Sequence, residues 1–128
     1  MSDNYYYKDV ENEIIREELL DSKAQELAES FKLSEPKRTP LSQTQLRRFF
    51  NDLKNLEKRL DQSSFERMKP LIKMVKSKVV YSREKIPSTF ENFMNKSISA
   101  IQTENDFRAF MLHFEAVVGF SKEHLKKN

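Results

Sequence analysis

The stretch LSQTQLRRFFNDLKNLEKRL, residues 41–60, decides the fold class of this chain. Its leucines and phenylalanines recur every three or four positions, which is the spacing of the buried face of an amphipathic α-helix. Ser42 and Gln45, three residues apart, have the spacing of a capping box, and the helix is therefore predicted to begin at Ser42. Leu41 precedes the cap, where it can pack against the first turn.

Four further segments on both sides of this stretch show helical spacing of their apolar residues. In the segment over about 64–86, Pro70 leaves two alternatives: the helix begins near Lys69, or an earlier first turn kinks at the proline. Ser88, which follows Pro87, is predicted to cap the next helix. Thr103 and Asp106 predict another capping-box start. The four predicted helices span about 9–31, 64–86, 89–102 and 103–125.

These helices predict an all-α fold, a five-helix bundle with short loops. Residues 1–8 are predicted to be a flexible N-terminal tail. Residues 9–128 are predicted to form a single helical domain, whose basic central helices span about 42–61 and 64–86.

The composition supports helices and excludes several classes of site. The chain has one glycine, no cysteine and no tryptophan, while 34% of its residues are charged. Tight sheet turns usually need glycine, and thiolate metal sites and disulfides need cysteine. The N-terminus is acidic rather than basic and apolar, and the apolar run at 116–120 is too short to span a membrane. We therefore expect a cytoplasmic protein with no membrane contact.

The charge is concentrated in the middle of the chain. Residues 37–86 carry fourteen Lys/Arg and five Asp/Glu, a net charge of +9, whereas residues 1–36 carry four and ten, a net charge of −6. A block this basic indicates either a surface for a polyanion or a solvated helical face.

Residues suited to catalysis or metal binding are scarce. His113 and His124 have no third ligand at metal-site spacing, and His113 is predicted to be packed among apolar neighbours. Gly119 alone cannot build a phosphate-binding loop. The phenylalanines recur at helical spacing and are predicted to form the core. We therefore predict no catalytic residue, no metal and no cofactor, and that the protein is not an enzyme.

Three stretches together resemble the small subunit of the type III-A CRISPR–Cas (Csm) effector complex. Residues 41–50 are similar to that family's helix start, residues 69–83 to its central helix ending in tyrosine and a basic residue, and residues 107–118 to its closing helix. The family often has Ala-Gly-Arg after the tyrosine, whereas here Tyr81 is followed by Ser-Arg-Glu-Lys. Either Arg83 or Lys85 could therefore take the place of the family arginine.

The resemblance implies a non-catalytic subunit of an RNA-guided antiviral complex. It would occur in several copies along a filament of backbone subunits, beside the guide RNA and the paired target RNA, with adjacent copies or dimers in contact. Its partners would be these RNAs and the other Csm subunits. The family positions carried over are Arg47, Lys78, Tyr81 and either Arg83 or Lys85.

Sequence-independent RNA binding needs cations that contact phosphates. On the helical wheel, Arg47, Lys54 and Lys58 form one basic stripe and Lys69, Lys73, Lys76 and Arg83 another, and side-by-side helices would join the two stripes into one groove. The candidate RNA-binding residues are Arg47, Arg48, Lys54, Lys58, Lys69, Lys73, Lys76, Lys78, Tyr81, Arg83 and Lys85.

Two alternatives remain open at this point. A helical protein-interaction module could use the same basic face to bind an acidic partner. A small helix-turn-helix DNA-binding protein would also be basic, although its turn usually contains glycine and its cations cluster at one helix N-terminus.

Overall fold

The computed structural model describes residues 4–128 and has five α-helices preceded by a small antiparallel hairpin, which confirms the predicted all-α class. Two short 3-10 turns, Glu17–Leu20 and Arg83–Lys85, join elements. The elements are β1 (Tyr7–Asp9), β2 (Ile14–Ile15), α1 (Ser22–Ser30), α2 (Gln43–Leu60), α3 (Phe65–Tyr81), α4 (Ser88–Ser99) and α5 (Glu104–Ser121).

The segment before α1 differs from the helix predicted over 9–31. The Asp9 carboxylate accepts hydrogen bonds from the backbone N–H (3.2 Å) and the side-chain amide (2.9 Å) of Asn12. Such side-chain bonds to a nearby backbone compete with helix formation and favour a turn. The chain folds back there into β2, and Val10 and Ile14 stay exposed instead of forming a buried helical face.

Residues 4–8, predicted to be part of a flexible tail, lie against the helices. The Tyr6 ring is fully buried, and its hydroxyl donates to the Ser97 carbonyl on α4. The Tyr7 hydroxyl donates to the Asn105 carbonyl at 2.7 Å. Buried tyrosines with partners for their hydroxyls fix a segment in place, although residues 4–8 show no helical or strand periodicity in the sequence. The first three residues of the predicted tail lie outside the described part of the chain.

Both predicted capping boxes are confirmed. At the start of α2, the Ser42 hydroxyl accepts from the Gln45 N–H at 3.1 Å, and the Gln45 side chain accepts from the Ser42 N–H at 3.3 Å. Thr103 and Asp106 make the equivalent pair of bonds at the start of α5. Each box satisfies two N–H groups that have no partner within the helix.

The predicted cap of α4 is wrong. Ser88 is the first residue of the helix rather than its cap, and its N–H donates to a carboxylate oxygen of Glu35 at 2.7 Å. The hydrogen bonds from Ser88 lower the pKa of Glu35. A carboxylate from a distant loop therefore satisfies one of the free N–H groups at the start of α4.

The third helix begins at the earlier of its two predicted starts and ends sooner than predicted. Ser64 caps α3, and Pro70 lies inside it at an exposed position. The α-helix stops at Tyr81, and a 3-10 turn over Arg83–Lys85 follows. The prediction of one helix to residue 86 is therefore wrong over its last five residues.

Consecutive helices from α2 to α4 pack as antiparallel neighbours. Gln45, early in α2, donates to the carbonyl of Lys85, just after α3. Asp52, about two turns later in α2, accepts from Lys78, which precedes the end of α3. The two helices therefore run in opposite directions. On its other side α3 packs against α4, and α2 also packs against α5. The core between the helices is rich in aromatic rings, as predicted, and its fully or nearly fully buried phenylalanines are Phe31, Phe90, Phe93, Phe107, Phe110 and Phe114.

Candidate functional site

A groove of about 610 Å³ lies between α2 and α3, at the carboxyl end of α3. It is open to solvent, and its floor includes the buried ring of Phe49. The residues that line it are Gln45, Arg48, Phe49, Asp52, Ser77, Lys78, Tyr81, Ser82 and Lys85.

Three cations of the groove come from three different elements. Arg48 lies on α2, Lys78 on α3, and Lys85 at the end of the 3-10 turn, where its carbonyl accepts a 3.0 Å hydrogen bond from Gln45 of α2. The Lys78 ammonium lies 3.2 Å from Asp52, and both side chains are more than a third exposed. An exposed pair of this kind contributes roughly 0–1 kcal/mol, so an incoming phosphate could replace Asp52 at little cost.

Tyr81 stands at the rim of the same groove. Its side chain is 94% exposed, although it belongs to the last turn of a helix whose Val79 is fully buried. The helix end is well formed, because the Ser82 N–H donates to the carbonyls of Lys78 and Val79. The backbone at this position is thus well ordered, while the Tyr81 ring is almost wholly exposed to solvent.

The opposite flank of α3 has a different role. Lys69, Lys73 and Lys76 reach across to the carboxyl end of α4, where helix carbonyls lack partners. Lys73 donates to the Ile98 carbonyl at 2.7 Å and Lys69 to the Gln102 carbonyl at 3.3 Å. Lys76 donates to the Ser99 hydroxyl at 3.1 Å. Cations at this helix end stabilise the fold.

Burial and the neighbouring ammonium groups of Lys76 and Lys69 lower the pKa of Lys73. A lysine that is partly desolvated and already bonded to a helix end is poorly placed to bind a phosphate in solvent. Lys73 is therefore assigned to the stability of the fold.

The stripe of Arg47, Lys54 and Lys58 lies on the α5 side of α2 rather than beside α3. Arg47 lines a small depression with Val118 and Lys122, and Lys54 pairs with Glu57 at 3.0 Å. Glu57 in turn pairs with Arg108 of α5 at 3.3 Å. The expectation that this stripe and the Lys69/Lys73/Lys76/Arg83 stripe form one groove is therefore wrong, because the two face away from each other across the α2–α3 pair.

Arg83 is engaged by a buried carboxylate. The Glu91 carboxylate of α4 accepts a hydrogen bond of 2.9 Å from each of Arg83 and Arg38. Burial alone would raise the pKa of Glu91, but the hydrogen bonds and charges of the two arginines hold that pKa below its usual value. Among residues 4–128 no carboxylate is paired with Lys85, which faces the groove.

One cation near the groove was missed by the sequence reasoning. A second depression of about 280 Å³ continues along the same two helices and is lined in part by Arg59, Met74 and Lys78. Arg59 lies eleven residues after Arg48, which is three turns along one face of a helix, so its position could have been recognised from spacing alone.

His113 is buried, as predicted. Its Nδ1 is hydrogen-bonded to the Leu19 carbonyl, and burial lowers the pKa of the imidazole. Within the described residues no group of three or more His, Asp or Glu side chains is arranged to hold a metal ion. None of the helices in residues 4–128 is both long and apolar enough to span a membrane.

A family model matches most of the chain. The model, described as Csm2 Type III-A, covers residues 15–127, which include all five α-helices. No curated protein and no solved structure matches the chain. The three stretches on which the sequence resemblance rests, 41–50, 69–83 and 107–118, all lie inside the matched range.

Proposed function

We propose, on the premise that this chain belongs to the Csm2 Type III-A family, that its α2–α3 groove binds the RNA backbone. As a member of that family, the chain is a small subunit of the type III-A CRISPR–Cas complex. The guide RNA and the target RNA paired to it are the ligands, and the subunit lines the filament beside them. It performs no chemistry of its own.

The observation that carries this proposal is the convergence of Arg48, Lys78 and Lys85 on one open groove. Three cations face a single exposed carboxylate there, so the local charge suits a chain of phosphates. Among the other predicted cations, Lys73 is engaged by α4 carbonyls, and Lys54 and Arg83 are engaged by carboxylates.

The chemistry of the groove also suits a ligand of variable sequence. A subunit that serves any guide must ignore base identity, and Lys and Arg contacts to phosphates carry no sequence information. Such contacts release counterions, so the affinity should fall steeply with salt. A neighbouring copy of the chain and the other Csm subunits would complete the channel around the RNA.

The antiparallel packing of α2 and α3 disfavours the DNA-binding alternative. In a helix-turn-helix the two helices cross at about 90–120°, and the second one projects into a groove of DNA. Here, the Gln45–Lys85 and Asp52–Lys78 contacts keep α2 and α3 side by side.

The test is the binding of a labelled guide–target RNA duplex across a salt series, using two unrelated sequences. We expect equal affinities for both sequences and a log–log salt slope of roughly −3, close to one unit for each of three phosphate contacts. The measurement is made with the chain alone and with the chain assembled with the other Csm subunits.

The matched control is Lys8→Gln/Lys126→Gln, which removes two exposed charges outside the groove. It should leave the salt slope unchanged. If the chain contributes no salt-dependent RNA affinity, either alone or in the assembled complex, the proposal is wrong. The groove would then be better explained as a binding site for an acidic protein partner.

A further inference from the structure

The exposed ring of Tyr81 has no function in the fold. No ring contact joins it to another aromatic residue within 4–128, whereas Phe93 on α4 packs against several rings. At 94% exposure, truncating its side chain would remove almost no buried area. Tyrosines are enriched at interfaces, and an exposed ring that lines a groove is available to pack against a bound molecule.

The surroundings of Tyr81 indicate what that molecule is. Lys78 lies one helical turn earlier, Lys85 follows in the 3-10 turn, and Arg48 faces both from α2. An aromatic ring surrounded by cations is the arrangement that binds single-stranded nucleic acid, in which the ring stacks on a base and the cations bind the adjacent phosphates.

We propose that Tyr81 stacks on one unpaired base of the bound RNA while Arg48, Lys78 and Lys85 hold the phosphates beside that base. This inference rests on the proposed function and specifies its ligand. In a continuous A-form duplex each base is stacked on its neighbours and paired, so its faces cannot reach a tyrosine. The groove therefore prefers an RNA with an unstacked nucleotide over an uninterrupted duplex.

The test compares two duplexes of the same sequence, one perfect and one with a single unpaired nucleotide, at one low salt concentration. The chain alone and the assembled complex are both measured. We expect the parent to bind the interrupted duplex roughly tenfold more tightly, in the range found for base stacking on aromatic side chains. A 2-aminopurine at the unpaired position should lose fluorescence on binding.

Two variants separate stacking from simple contact. Tyr81→Leu should lose the tenfold preference and the fluorescence change, so that it binds the two duplexes with equal affinity. Tyr81→Phe, which keeps the ring, should retain both. Neither variant should alter stability, because the ring is exposed.

The inference is overturned if the parent shows no preference, or if Tyr81→Leu weakens both duplexes equally or impairs only assembly with other subunits. In each of those outcomes the parent still binds the perfect duplex in a salt-dependent way. Loss of that binding is instead the failure of the proposed function, so the two failures can be told apart.

Discussion

The two flanks of α3 carry the same kind of side chain and do different things. On the α4 side, Lys69, Lys73 and Lys76 are bonded to groups at the end of a neighbouring helix. On the α2 side, Lys78 of α3 and Lys85 of the following 3-10 turn border an open groove. A basic stripe on a helical wheel therefore does not identify a ligand site, because the neighbouring element decides whether its charges are already engaged.

The largest effects should come from two triple variants, each of which removes the charges on one flank of α3. The groove variant Arg48→Gln/Lys78→Gln/Lys85→Gln should weaken RNA binding on the order of 100-fold at low salt and reduce the salt slope by about three. Its free energy of unfolding should change little, since these side chains are exposed. Fluorescence anisotropy and chemical denaturation measure the two quantities.

The flank variant Lys69→Gln/Lys73→Gln/Lys76→Gln should give the opposite result. Losing three cations at the end of α4 should lower the free energy of unfolding by about 1–3 kcal/mol. The salt slope of RNA binding should change by less than one unit. Equal loss of RNA affinity in the two variants would remove the distinction between the flanks.

A pair of single variants, with smaller expected effects, decides whether Arg83 or Lys85 takes the place of the family arginine. Lys85→Gln should weaken RNA binding about fivefold, which is the loss of one phosphate contact, without destabilising the fold. Arg83→Gln should lower the free energy of unfolding by about 1–2 kcal/mol, because Glu91 loses a hydrogen bond at 2.9 Å and an ion-pair contact at 2.8 Å. If Arg83→Gln reduces the salt slope and Lys85→Gln does not, the assignment is reversed.

Acidic pH should destabilise the fold through His113. Burial holds its pKa below the usual value of 6.5, so below that pH the unfolded chain binds a proton that the folded chain excludes. The free energy of unfolding should therefore fall as pH decreases through about 6.5, by up to about 1.4 kcal/mol per pH unit.

The control for this titration is His113→Asn, which keeps a donor near the Leu19 carbonyl but cannot titrate. Its free energy of unfolding should depend less on pH between about 6.5 and 5.5, whatever its absolute stability. Parallel pH profiles for parent and variant would show that another group controls this range.

The smallest effect concerns Gly119, near the end of α5. A Cβ built at this position meets no atom within 4 Å, and the residue is exposed. Gly119→Ala should therefore raise the free energy of unfolding by about 0.5–1 kcal/mol, because alanine loses less backbone freedom on folding. A destabilised variant would indicate a contact that the fold does not show.

Features that depend on neighbouring residues in sequence were predicted well. The capping boxes at Ser42 and Thr103 need only residues three apart, and both are present. The N-terminal segment was mispredicted because an equally local feature, the Asp9–Asn12 turn, overrides its helical spacing. The acceptor for the Ser88 N–H comes from Glu35, fifty-three residues away, and no local pattern could supply it.

The candidate site was only partly accessible from the sequence. The resemblance selected Lys78 and Tyr81, which the structure brings together with Arg48 in one groove. The wheel could not show that Lys73 faces the end of α4 or that Arg47 faces α5, because each depends on which helix packs on which face. Tertiary packing thus separated charges that the sequence grouped.

The most direct test of the contrast between the two flanks is an NMR titration of the ¹⁵N-labelled chain with the guide–target RNA. The amides of residues 45–52 and 77–85, which surround the groove, should shift in proportion to RNA bound, and those of 96–102, at the end of α4, should not. Shifts concentrated at 96–102 and at Lys69, Lys73 and Lys76 would place the RNA on the wrong flank of α3 and contradict the proposed site.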